Sequence, residues 1–165
     1  MTVTTTSAYT RAHTAKFLSD KMRNLLKYLI QHYDLCPVKL VDAWTGWVDK
    51  AARSWLETGH LEKFVIEFYV PGATRASTRW DFPIRYDGNG ADDMWVDQDF
   101  YIGAFAKSQT PPRNAIYRIL LQPKRGAPDV GLADAQYLAL GGLVAREAGT
   151  AIATPDLMAS MTYYR

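Results

Sequence analysis

Hydrophobic and polar positions change period as the chain proceeds. From Thr14 to Tyr33, the residues Phe17, Leu18, Met22, Leu25, Leu26, Leu29 and Tyr33 recur at spacings of three and four, which predicts a helix with one apolar stripe. A second helix is predicted from Pro37, suited to a first helical position because its missing N–H has no partner there, to Gly59. Leu40, Val41, Trp44, Val48, Trp55 and Leu56 supply its buried side. After Gly59 the period falls to two: Phe64, Ile66, Phe68 and Val70 alternate with Val65, Glu67 and Tyr69. "VPGAT" then turns the chain into a returning strand. That strand sets Thr78, Trp80, Phe82, Ile84 and Tyr86 against Arg79, Asp81, Pro83, Arg85 and Asp87, the alternation of a half-solvated antiparallel strand. Pro83 cannot donate to a ladder, so an edge position is expected.

The loop "DGNGADD" leads to a third helix over 98–107, capped by Asp97 with Asp99 near its positive end. The strand that follows, "AIYRILLQP", is apolar on both faces and is expected to be more buried than its neighbours. The last forty or so residues show neither period. Their apolar residues are nevertheless too many for a disordered segment, and glycines and prolines divide them into short pieces. The pattern predicts one α+β domain, with helices on one face of a three-stranded antiparallel sheet and a tail whose packing local preference leaves open.

Composition narrows the function. Hydrophobic residues make up 48% and charged residues 22% of 165, a globular balance, and no run is long enough to span a membrane. The opening "MTVTTTSAYTRAHT" lacks the apolar core of a secretory signal, which predicts a cytoplasmic protein with a loose arm over residues 1–10. A net charge of +2 supplies no general field for nucleic acid. The single cysteine, Cys36, reads as a structural thiol, and His13, His32 and His60 are not at metal spacing. The sequence contains no nucleophile elbow, P-loop or dinucleotide fingerprint.

Two clusters leave other chemistry open. Asp87, Asp92, Asp93, Asp97 and Asp99 read first as a solvated loop with a helix cap; the alternative is a hard-cation site for phosphoryl chemistry. Trp47 and Trp95 are left over once the helix stripe and strand face have claimed Trp44, Trp55 and Trp80. With Lys124 and Arg125 they offer a nucleic-acid-sensing alternative.

The stretch "WLETGHLEKFVIEFYVPGATRASTRWDFPIRY", followed by "MWVDQDF", "AIYRILLQPKRGAPDV" and the terminal "YYR", resembles the bacterial HORMA-domain proteins of cyclic-oligonucleotide antiphage (CBASS) operons. The resemblance covers almost the whole chain and lies in the ordered set of these pieces. It implies a conformational switch with no cofactor and no catalysis. A core over 11–125 would be followed by a safety belt over 126–165 that wraps a closure-motif peptide, and the closed form would bind and activate a cGAS/DncV-like nucleotidyltransferase. On this chain it implies a peptide beside the third strand, near Tyr117, Ile119 and Leu121, with Tyr137, Leu140 and Ile152 contributed by the belt. It further implies an AAA+ remodelling ATPase that engages the N-terminal arm at Thr2, Val3, Thr4, Thr5 and Thr6. A second HORMA protein is a further possible partner.

Overall fold

A computed structural model of the chain describes residues 3–86 and 94–165, with side chains from Arg11 onward. The element order is α1 (Val3–His32), α2 (Val38–Ala43), a π-helical turn (Trp44–Val48), α3 (Asp49–Thr58), β1 (Leu61–Tyr69), β2 (Thr78–Arg85), β3 (Trp95–Val96), α4 (Gln98–Lys107), β4 (Ile116–Pro123), β5 (Ala145–Ala153) and β6 (Met158–Tyr164). Among the described residues the strands form one six-stranded sheet in the order β3-β5-β6-β2-β1-β4. Every pairing is antiparallel.

The helices cover one face of the sheet, as the stripes predict. Leu18, Met22, Leu25, Leu26 and Leu29 of α1 are fully buried against Phe64, Ile66 and Phe68 of β1 and Trp80 and Phe82 of β2. Trp44 stacks on Phe64 with ring centroids 5.7 Å apart, and the Trp80 indole N–H donates to the Tyr33 hydroxyl at 3.0 Å. The segment predicted as a second helix is continuous in space but carries a π turn. Gly59 closes α3 in the left-handed region at φ 78°. Of its expected buried side, Val41 is 37% exposed, because α2 ends the stripe at Leu40 before the π turn rotates the helix. Asp97 caps α4 as expected, accepting from the Phe100 N–H at 3.0 Å.

Several expectations are corrected. The loose arm over residues 1–10 is, from Val3 on, the beginning of α1; no proline or glycine separates it from the apolar stripe, so the helix has no reason to stop. The sheet has six strands rather than three because the tail contributes two, β5 and β6, and Trp95–Val96 adds the short β3 beside β5. β2 is interior. The ladder to β6 lapses at Phe82 and Pro83 and resumes at Ile84, so the missing proline N–H costs pairing on one side without ending the strand. Cys36 is exposed rather than packed as a structural thiol.

The charged face of β2 is solvated only at its far end, where Arg85 is exposed. Arg79 and Asp81 are only 6% and 3% exposed and Glu67 is fully buried, because the chain between Gly126 and Leu143 lies across that face. β4, expected to be the most buried strand, stands at the edge of the sheet. It is apolar on both sides because the helices border one side and the tail borders the other.

Candidate functional site

The open side of β4 is the candidate site, and the backbone around it can be oriented from hydrogen bonds. The Ser77 N–H reaches the Phe68 carbonyl at 2.7 Å, so Phe68 turns its main-chain groups toward β2. The gap in the β2–β6 ladder places the Pro83 nitrogen toward β6, which agrees with this alternation. Val65, Glu67 and Tyr69 therefore turn toward β4, where their register partners are Leu120, Arg118 and Ile116. It follows that Tyr117, Ile119 and Leu121 direct their N–H and C=O groups away from the sheet. These are the three strand residues that the family resemblance nominates.

Walls rise on both sides of this edge. On the helix side stand the α1–α2 connection, α2 and the π turn. On the other side, residues 132–136 of the tail run beside Arg118–Leu121 and enclose a groove of about 280 Å³ with Trp47 at its rim. Trp47 also borders a neighbouring cavity against Asp129, Val130 and Leu132, where the tail leaves the sheet. The π turn explains how one short helix serves two tasks: Trp44 points into the core while Trp47 overlooks the groove.

The tail is fastened to the sheet by polar groups that the sequence presents as solvent-facing. The Arg118 Nε donates to Glu67 Oε1 at 2.7 Å, and a second guanidinium nitrogen of Arg118 donates to the Gln136 carbonyl. Glu67 Oε2 accepts from the Leu138 N–H at 2.8 Å. Tyr137 donates to Gln122 Oε1 at 2.6 Å, and its ring lies 4.6 Å from the Arg79 guanidinium carbon. Arg79 pairs with Asp81 at 2.7 and 2.9 Å, and Asp81 also receives Lys63 at 2.9 Å and the Tyr164 hydroxyl at 3.1 Å. Burial acts to lower the Arg79 pKa, but the hydrogen bond and charge of Asp81 outweigh it and the value is raised. Burial pushes the Tyr137 hydroxyl up to about 12, against the opposing pull of Arg79.

Further anchors fix the path of the tail. The Trp55 indole N–H donates to the Pro128 carbonyl at 2.8 Å. Ala139 makes a parallel bridge with Arg75, its N–H reaching Thr74 and its carbonyl accepting from Ala76. Gly141, at φ 61°, passes so near the Arg75 guanidinium that an added Cβ would collide with it.

The nominated belt residues do not act together. Tyr137 lies over the back of the sheet. Leu140 sits beyond the Ala139 bridge, in the turn that the Leu143 N–H closes onto its carbonyl. Ile152 is fully buried in β5, separated from β4 by β6, β2 and β1, and is a core residue rather than a peptide contact. Its apolar side chain and tail position made it look available, but β5 takes it into the sheet. Trp47, Arg118, Leu132 and Gln136 are among the groove residues not nominated for the peptide. The signal for Trp47 was its surplus over the buried stripe.

Among the described residues the nucleic-acid candidates do not come together. Trp47 overlooks β4 whereas Trp95 lies on β3 at the opposite end of the sheet, and the Lys124 ammonium stands 4.8 Å from the centre of the Tyr86 ring. Of the acidic group, Asp97 caps α4 and Asp99 lies in its first turn; Asp87, Asp92 and Asp93 fall outside the described residues. Met1 and Thr2 of the proposed arm also fall outside them. Among the described residues no helix is long and apolar enough to cross a membrane.

The architecture is that of a HORMA domain, helices against a sheet whose C-terminal hairpin lies beside β2. The chain belongs to the family described as Bacterial HORMA domain 2, which it matches over residues 3–165. A chain of the mitotic checkpoint complex superposes with a TM-score of 0.70 at 8% identity, covering 92% of this chain and 97% of that one. A chain of the E. coli MS115-1 CdnC:HORMA-deltaN complex superposes with a TM-score of 0.59 at 13% identity, covering 92% and 86%. No curated protein matches the sequence.

Proposed function

We propose that this chain is a peptide-binding switch in which a guest segment joins the sheet as a strand along β4 and lies under the tail. The observation that carries the reading is the contrast between the two ends of the sheet. β5 is interrupted by bulges at Glu147/Gly149 and Thr150/Ile152, displays Arg146 and Glu147, and is shielded in part by β3. Those devices discourage a foreign strand. Between Ile116 and Gln122 β4 has neither bulge nor covering strand, and its one charge, Arg118, is paired with Glu67: its register with β1 is unbroken there, its other residues are largely apolar, and three successive outward positions offer main-chain groups. Strand addition draws affinity from those groups and selectivity from alternate side-chain pockets.

The guest-loaded form would dock on and activate a cGAS/DncV-like nucleotidyltransferase in antiphage signalling. The likeness to a chain of the E. coli CdnC:HORMA-deltaN complex supports that partner class. Residues 1–10 would serve as the handle for an AAA+ remodelling ATPase.

A proline exchange tests strand addition. Full-length chain is panned against a random peptide library on phage, and an enriched peptide is titrated into wild type, Ile119→Pro and Leu120→Pro. Ile119→Pro removes an outward N–H and should keep the fold while losing the peptide. Leu120→Pro removes an N–H directed at β1 and should destabilise the fold itself. At a hundredfold excess over its dissociation constant, the peptide should stabilise wild type by about 2.7 kcal/mol. Equal peptide affinity in wild type and Ile119→Pro would overturn the assignment of β4.

A further inference from the structure

We infer that the guest is an extended peptide that presents two large apolar side chains, at positions i and i+2, to the helix side of the groove. The inference rests on the reading of β4 as the guest edge and adds the chemical class of the guest. Two cavities follow one another along that side, of about 330 and 220 Å³. The first lies between the α1–α2 connection, at Leu35 and Val38, and the beginning of β4, at Ala115 and Ile116. The second is walled by Leu40, Ala43, Trp47 and Ile119, with Arg118 also on its border, and Lys39 borders both cavities. The second is smaller than the sites that hold drug-sized ligands and the first stands at their lower bound, so each has room for one large side chain.

Tyr117 borders both cavities and separates them. Its hydroxyl donates to the Cys36 carbonyl at 2.6 Å and accepts from the Leu40 N–H at 3.2 Å, so the ring is a fixed partition. A guest therefore cannot bridge the cavities with one long side chain without displacing two hydrogen bonds. The cavities face β4 at Ala115–Tyr117 and Tyr117–Ile119, two residues apart. Same-face side chains on a strand are separated by roughly 6.6 to 6.8 Å, and the outward main-chain groups of Tyr117 and Ile119 set the same interval. A strand bonded to those groups thus delivers side chains i and i+2 to the two spaces, whichever direction it runs.

Cys36 supplies a readout. It is exposed, lines the first cavity and is the one cysteine in the sequence, so a thiol reagent reports on that cavity alone. Full-length chain is panned against the random phage library, enriched peptides are synthesised, and alkylation of Cys36 by iodoacetamide is followed with and without them. Enriched sequences should share an apolar pair spaced by one residue. Replacing either member with alanine should weaken binding roughly tenfold or more, and bound peptide should slow Cys36 alkylation several-fold. Ala115→Leu and Ala43→Leu each fill one cavity and should shift selection toward a small side chain at one member of the pair, with far-UV circular dichroism checking the fold. Peptides that bind and stabilise the chain yet lack the pair, or leave Cys36 alkylation unchanged, would overturn this inference and leave strand addition standing. Failure to enrich any peptide would overturn both.

Discussion

A carboxylate withdrawn from water requires both a cation and a hydrogen-bond donor, and Glu67 has each: Arg118 from β4 and the Leu138 N–H from the tail. The residue thereby ties the edge strand to the segment that overhangs it. Glu67→Ala leaves a tail N–H and a half-buried guanidinium short of partners, and should cost about 2–3 kcal/mol, less than a fully enclosed pair because Arg118 is 36% exposed. Urea denaturation would measure the loss, and faster hydrogen exchange over 132–140 would locate it. Tyr137 gives a second handle on the same segment. Its pKa is raised to about 12 by burial, above the ordinary tyrosine value near 10. The unfolded chain releases this proton first, so the contribution is intact below pH 10 and disappears as pH climbs through 12. Tyr86, raised to about 12 by burial beneath its bonds to Leu61, adds to the same alkaline loss. A denaturation series across pH 9–12 should show stability falling in that window, and Tyr137→Phe should shrink the fall.

The elements differ in how openly the sequence declares them. α1, β1 and β2 follow strong periods because long apolar side chains meet a single core face, and those calculations of face and stripe agree with the structure at Leu18, Phe64 and Trp80. β5 is hidden because its inward residues are small, Ala151 and Ala153 among them, and its two bulges reset the alternation before a period can register. The back of the sheet misleads for another reason: Arg79, Asp81 and Glu67 alternate like solvent-facing residues, and only the tail laid over them makes that face an interior. A polar network satisfied by a distant segment looks locally the same as a solvated surface. Of the strand residues that the resemblance nominates, Ile119 and Leu121 line the groove, whereas the direction of Trp47 depends on the π turn and could not be read from local pattern. The structure also shows what the C-terminal elements support. Met161 and Ala159 of β6 and Ile152 of β5 are buried in the main core, and Tyr163 packs 5.2 Å from Trp80. Truncation before Gly126 should therefore abolish cooperative thermal unfolding, seen as loss of a calorimetric transition, rather than yield a folded domain that has merely lost its guest.

Across the whole molecule, the chain leaves the sheet at β4, crosses the back face, and re-enters at the opposite side as β5 and β6. The crossing joins the β4 edge to the hairpin in one covalent path. The hairpin is held to β2 by a seam that is continuous over Arg79–Asp81, interrupted at Phe82 and Pro83, and resumed at Ile84–Arg85. Such a seam has a built-in fracture point. Tension applied to the C-terminus would part it as two short stitches rather than one long weld, freeing at most about 70 Å of polypeptide from Ala145 onward. A single proline thus turns the junction into a tear line, the place where parting of the hairpin from β2 would begin.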